Sequence, residues 1–450
     1  MKRTLLVSGM LASVFAAHAN ALLKSPVSGA LGSGRLAALS MASDGKDVVL
    51  LLADNTSLYA LDIKDNDPSE LVPNAITSIP DFVNTKLKPV AGGATLTVID
   101  MEVNPVSRAV YVLAESGTTS YVFKVRKNGA DITLLDLSSV SHSTISWGGS
   151  FSVNDMTWGD NKLFASSGSF SLNGSVVAVA APFTNGATVT QRKTSMFKSN
   201  WGGTYFTSAP LETMTFGVVG TKSRLMGVTT CAPGYSLEAG TLSGSGTLEV
   251  KEYFNVNMGV SEKVVFQRHD SKDWLFDLHD DNLYRIGASF LDGTSETSGK
   301  YNKNSVLLRD NTGAPVSTLT ADQFKQFTGT YSEIAFWDNY RLLVLEKGGT
   351  LKLMQTAATA PPLSIGQSVR ETAALRLYPN PAHEQISVTL PAASGQISID
   401  IYALDGRRVQ HQVTSGAAAT IDLKGMPQGQ YLLKAVYESG STEQQFFVIQ

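Results

Sequence analysis

Cysteine is all but missing from this chain: Cys231 stands alone among 450 residues. One cysteine forms no internal disulfide, so stability must come from packing even where the compartment would permit such bonds. In Thr-Thr-Cys-Ala-Pro-Gly, Cys231 reads as a small buried apolar residue. Zinc signatures need His and Cys at short intervals. The stretch 22–356 offers only His142, His269 and His279, too far apart to build one from sequence neighbours. No Gly-x-Ser-x-Gly nucleophile elbow and no Gly-x-x-x-x-Gly-Lys-Ser/Thr phosphate loop occurs, and Gly217-Val218-Val219-Gly220-Thr221-Lys222-Ser223 has the wrong spacing for the latter. These absences exclude the common motif-bearing enzymes. Carboxylate catalysis, which leaves no such signature, stays open. The net charge is −3, with no block of five or six like charges, which argues against a nucleic-acid partner.

Long apolar runs are absent too. Lys2 and Arg3 precede a short apolar stretch over residues 5–17, and Ala19 and Ala21 are spaced as a signal peptidase site requires. The run is too short to span a bilayer. Residues 1–21 therefore read as a signal peptide. Its loss removes two basic residues and no acid, which takes the net charge to −5.

What is present over residues 22–356 is β-structure. Short runs of Val, Leu, Thr, Tyr and Phe are broken by Gly, Asn, Asp and Ser, and no long 3.6-residue period appears. Only residues 321–327 allow a short helix. A hairpin pattern recurs six times, over 47–63, 109–125, 162–183, 224–242, 274–288 and 341–355. Short strands with their own signature precede most copies: Asp100-Met101-Glu102-Val103, Asp155-Met156-Thr157-Trp158, Thr213-Met214-Thr215-Phe216 and Glu333-Ile334-Ala335-Phe336. Leu39, Met101, Met156, Met214, Gln267 and Ile334 serve as equivalent points. Repeating sheets that cannot bury both faces alone do so by stacking radially. The expected body is a six-bladed β-propeller, or a seven-bladed one with a degenerate blade between Ala288 and Ser332. Residues 22–35 are what is left to complete the last blade.

Residues 357–372, rich in small residues with a Pro-Pro pair, read as a linker. Residues 373–450 alternate apolar and polar over short strands, with Val388, Ile397, Ile399, Ile401, Leu432 and Val436 facing a core, as in a small β-sandwich. Five motifs follow in order: Leu377-Tyr378-Pro379-Asn380-Pro381, Ile399-Asp400-Ile401-Tyr402, Asp405-Gly406-Arg407, Ile421-Asp422-Leu423 and Gly429-Gln430-Tyr431-Leu432-Leu433, before a closing Phe446-Phe447-Val448. This stretch closely resembles the C-terminal sorting domain of type IX secretion cargo in the Bacteroidetes and their relatives. The resemblance implies an immunoglobulin-like fold, recognition by the outer-membrane translocon, removal by a sortase-like protease, and release or attachment at the cell surface after passage through the periplasm. Tyr378, Pro379, Asn380 and Pro381 would mark entry to the first strand, Asp405, Gly406 and Arg407 the mid-domain turn, and Gly429 and Tyr431 the strand before the final hairpin.

Candidate chemistry in the body centres on an acidic ring. If the Asp-Met and Glu-Ile strands are innermost, Asp100, Asp155 and Glu333 project near one mouth of the central channel, with Thr213 at the equivalent place. Converging carboxylates bind Ca²⁺ or a cationic group and raise one another's pKa; equally, each acid can cap backbone N–H groups as a structural repeat feature. Asp277-Leu278-His279-Asp280-Asp281-Asn282 is an oxygen-rich turn that would suit Ca²⁺ or serve as an ordinary turn. Asp62, Asp65 and Asp67 lack the glycine and glutamate of a calcium loop. Trp147, Trp158 and Trp201, the first and last followed by Gly-Gly, would either grip a ligand or wedge between blades. Two functions follow: a secreted or cell-surface module binding a protein or glycan, or a carboxylate-dependent glycan hydrolase or lyase at the channel mouth.

Overall fold

The computed structural model describes residues 20–32, 34–168, 174–196, 210–229, 234–250, 253–254, 261–269, 272–287, 320, 323–357, 376–378, 382–390, 396–403, 408–415, 418–437 and 442–449. Residues 1–19 of the expected signal peptide 1–21, Trp201, Cys231, and Pro379, Asn380, Pro381, Asp405, Gly406 and Arg407 lie outside them. The chain divides into two compact units, Met1–Leu363 and Ser364–Gln450.

Among the described residues the first unit holds six sheets of four or five strands beside one two-stranded pair, and each of the six begins with a short strand: β1 (Ala38–Ser43), β2 (Thr97–Val103), β3 (Val153–Gly159), β4 (Thr215–Val219), β5 (Ser261–His269) and β6 (Tyr331–Asp338). A hairpin follows each, and its two strands continue the sheet outward by antiparallel pairing. The expected hairpins are thus the second and third strands of the sheets. The first strands pack side by side in a closed cycle, in the order β1, β3, β4, β5, β6, β2 and back to β1. β5 and β6 pack directly on each other, and residues 288–319, most of the interval in which a seventh blade is the alternative, lie outside the described residues. Each of the six interfaces holds its own apolar core. This is a β-propeller: no sheet buries both faces except against its neighbours.

The cycle departs from chain order in one place. After Leu61 the chain lays Ser78–Ile79 on the outer edge of the sixth sheet, where Ile79 pairs with Leu351. It then builds the second sheet beside the sixth and returns with Val140–Ser146 to the outside of the first. Residues 22–35 do not complete the last sheet. Leu23–Lys24 pairs with Phe183–Thr184 and Val27–Gly29 with Val140–Ser146. Residues 324–326, expected in a helix, form the fourth strand of the fifth sheet. The short helices stand instead at Val83–Leu87 and Lys88–Val90.

The second unit holds two sheets, one of Arg376–Tyr378, Gln385–Thr389 and Ala418–Asp422, the other of Arg408–Thr414, Ile397–Ala403, Gly429–Tyr437 and Thr442–Ile449. Val388, Ile397, Ile399 and Ile401 are buried, as their alternation requires. Over Gly429–Tyr437 the inward residues are Tyr431, Leu433 and Ala435, not Leu432 and Val436. Tyr431 sets that phase by stacking on Phe447 and donating its hydroxyl to the Pro427 carbonyl at 2.8 Å.

Candidate functional site

Four of the six first strands begin with a one-residue bulge, between Val98 and Asp100, Val153 and Asp155, Ser261 and Lys263, and Tyr331 and Glu333. A bulge bends a strand and re-aims the side chain that follows it. Here those side chains are Asp100, Asp155, Lys263 and Glu333. Asp155 Oδ2 accepts from Met214 N and Asp100 Oδ2 from Leu39 N, both at 2.8 Å. Thr213, just before β4, and Ala38, on β1, precede those residues and therefore stand at the same level.

The acids do converge, and what they converge on is a lysine. Lys263 Nζ lies 2.7 Å from Asp100 Oδ1, 3.5 Å from Glu102 Oε1 and 3.8 Å from Asp155 Oδ1. Both Asp100 and Asp155 also cap the next backbone N–H of their own strands, Met101 at 2.8 Å and Met156 at 2.7 Å. Glu333 Oε1 accepts from Ile334 N at 3.0 Å. Burial pushes Glu102 up to about 7 and Asp155 up to about 6, against the pull of Lys263. Burial likewise holds Glu333 well above an ordinary glutamate. For Lys263 burial acts downward, but the charges of Asp100, Asp155, Glu102 and Glu333 outweigh it and hold its pKa well above an ordinary lysine.

This arrangement supplies its own cation. A Ca²⁺ ion at this level would have to displace an ammonium bonded to Asp100. Among the described residues no three His, Cys, Asp or Glu side chains stand where they could hold a metal. Sequence reasoning missed Lys263 because it placed the equivalent point of the fifth sheet at Gln267 rather than Val264. An aromatic residue three positions on was the available signal: Asp155 and Trp158, Thr213 and Phe216, Lys263 and Phe266, Glu333 and Phe336.

The remaining candidates are dispersed. Asp277 Oδ1 accepts from Ser261 Oγ at 2.7 Å, Asp281 pairs with Lys347 at 2.6 Å, and the buried His279 lies between Asp277 and Asp280 at 3.8 and 3.9 Å. Asp280 and Asp281 take the positive φ of a tight turn. Asp65 is spent on Tyr111 and Lys124, Asp62 on Lys64, and Asp67 on the N–H of Ser69. Trp147 is wholly buried, with its indole N–H on the Asp54 carbonyl, and Trp158 bonds the Ser43 carbonyl, so both are packing residues. Burial, followed by the nearby Asp277 charge, lifts Glu212 to about 7; Glu262, more exposed, reaches about 7 mainly through desolvation.

Fold and site together define a propeller whose channel acids are neutralised from within, joined to a separate two-sheet unit. Residues 376–450 of that unit match the secretion system C-terminal sorting domain family. The chain is therefore a cargo of type IX secretion with a propeller body, exported to the cell surface or released. No curated protein matches it. Among solved structures it is similar to PorZ, described as an essential surface component of the type IX secretion system of Porphyromonas gingivalis, at 13% identity and a TM-score of 0.33. That likeness covers 94% of this chain, which spans only 58% of the other protein's length. The extracellular domain of a one-component system of B. thetaiotaomicron is similar at 11% identity and a TM-score of 0.26, over 91% of this chain and 69% of the other. Drosophila Semaphorin 2a is similar at 9% identity and a TM-score of 0.34, over 95% and 97%.

Proposed function

We propose that the body is a non-catalytic binding module for a protein or glycan, which the outer-membrane translocon delivers by reading residues 373–450. A sortase-like protease then removes that domain, which leaves the body on the cell surface or in the medium. One observation carries the binding reading. Both oxygens of Asp100 and of Asp155 are occupied by backbone N–H groups, and Lys263 sits on Asp100 as well. A general base or nucleophile must reach its substrate, and these two carboxylates are 5% and 4% exposed and held in place by the backbone.

The second reading, a carboxylate-dependent glycan hydrolase or lyase, draws on Glu212 and Glu262, whose pKa values of about 7 suit proton transfer near neutrality. A panel of bacterial and host polysaccharides and glycoproteins separates the two. Retention of a panel member without new reducing ends is the expected outcome. Release of reducing ends or unsaturated products that disappears in Glu212→Gln would overturn it in favour of the enzyme.

A further inference from the structure

Away from the channel, the first sheet carries a cleft of about 590 Å³ that neither function uses. Its volume lies within the roughly 300–1,000 Å³ of small-molecule sites. One wall is formed by strands Ser57–Leu61 and Val140–Ser146, in which Thr144 stands opposite Tyr59 and His142 follows two residues away on the same face. The other wall is a glycine loop. A Cβ at Gly32 would come within 2.1 Å of Tyr59 Oη, and one at Gly34 within 2.2 Å of Asp54 Oδ2. Only backbone fits there, so the loop lines the cleft with peptide groups.

The charges around the cleft are already matched. Asp54 Oδ1 accepts from Thr56 N, Thr56 Oγ1 and Ser57 N at 2.7 to 2.8 Å, and Oδ2 accepts from Tyr59 Oη at 2.9 Å. Burial and then Asp54 push the Tyr59 phenol up to about 12, so it stays neutral. Arg35 is paired with Glu115.

What stays open is one ring nitrogen. His142 is only 4% exposed, and its Nδ1 lies 3.0 Å from the Val140 carbonyl. A carbonyl accepts, so Nδ1 donates to it, and in that tautomer Nε2 is the acceptor. Nε2 has no hydrogen-bond partner among the described residues, and His142 lines the cleft. Nε2 is accessible from the cleft, where a hydroxyl of a ligand can reach it.

We infer that this cleft binds a neutral, hydroxyl-bearing ligand, a sugar residue of a glycan, one of whose hydroxyls donates to His142 Nε2. The neutral hydroxyl follows from the pairing of Asp54 with Thr56, Ser57 and Tyr59 and of Arg35 with Glu115, and the sugar from the combination of peptide groups, Thr144 and the Tyr59 ring. The inference rests on the body being a binding module and gives that module its ligand class and place.

The test is a titration of the full chain, with its histidines labelled with nitrogen-15, against a panel of neutral mono- and disaccharides that includes glucose, galactose, mannose, N-acetylglucosamine and their β-linked dimers. The expected result is saturable binding below about 10 mM, with the His142 Nε2 resonance moving in step. His142→Phe and Thr144→Val should each weaken it by about tenfold. Should His142→Phe fail to fold, Thr144→Val and the wild-type resonance still decide. A saccharide that binds without moving Nε2, or equally well to both variants, would overturn the cleft and leave the binding module standing. No binding by any panel member at about 10 mM would overturn the inference, and the polysaccharide assay would still judge the module.

Discussion

Lys263 is the residue on which the centre of the propeller depends. It is buried and shared among Asp100, Glu102 and Asp155, with the charge of Glu333 also acting on it. Removing one partner of a buried ion pair costs about 3–5 kcal/mol, because the other is left uncompensated. Lys263→Met should lose that much at neutral pH, read by chemical denaturation, and less in acid, where the carboxylates take up protons. The wild type should show a related dependence. Glu102 rises from 4.5 to about 7 and Asp155 from 3.8 to about 6 on folding, so the folded state binds more protons than the unfolded one between those values. Their contribution is therefore fullest below the unfolded values and declines as pH rises through the folded ones. Melting temperature should fall as pH rises from about 5 to about 7.5, and Glu102→Gln should flatten the fall. A wild-type melting temperature that rises over this interval would refute the protonation argument. The three acids were legible in the sequence because they repeat at one place in a strand signature. The lysine was not, because at that same place it reverses the sign, and pattern reading discards what breaks the pattern.

Between neighbouring first strands, small residues accept large ones. A Cβ at Gly159 would sit 2.0 Å from the Phe216 ring, and one at Gly217 would sit 2.4 Å from the Phe266 ring. Trp158 and Ala42 belong to one of the cores between sheets, and Trp337 and Val103 to another. The fifth and sixth sheets break the rule. Gln267 occupies the receiving position, bonded to the carbonyls of Asp338 and Arg341, and Phe336 is left 38% exposed. Gly159→Ala and Gly217→Ala should each destabilise the body by about 1–3 kcal/mol, the usual cost of overpacking. Phe336→Leu should change stability by less than about 0.5 kcal/mol. Urea unfolding of the three variants checks this: equal losses at all three positions would mean that the rings are not seated as described. The hairpins were legible from alternation and turn residues alone, since each is local. The fourth strands were not. Ser78–Ile79 and Val140–Ser146 join sheets far from their sequence neighbours, and nothing in a two-residue strand announces its partner.

At the scale of the whole chain, the two units differ in how their cores are made. The propeller closes through its first strands, and a strand between its first and second sheets completes the sixth, so distant parts of the body share one ring. The second unit has a core of its own, with Ile386, Val388, Ile399, Ile401, Leu433 and Phe447 all nearly inaccessible. Cores that share no residues unfold as separate cooperative units. Scanning calorimetry of residues 22–450, before any removal of the second unit, should therefore show two transitions. Excision of residues 364–450 should remove one and leave the other within about 2 °C. In the producing cell the same truncation should leave a folded body in the periplasm instead of at the surface. A body that melts markedly lower once the second unit is gone would mean that the address is also a structural support. In that case a failure of export could no longer be ascribed to recognition alone. If the transition stays where it was, loss of export isolates the role of the sorting domain, and the ligand of the propeller can be sought on the body after processing.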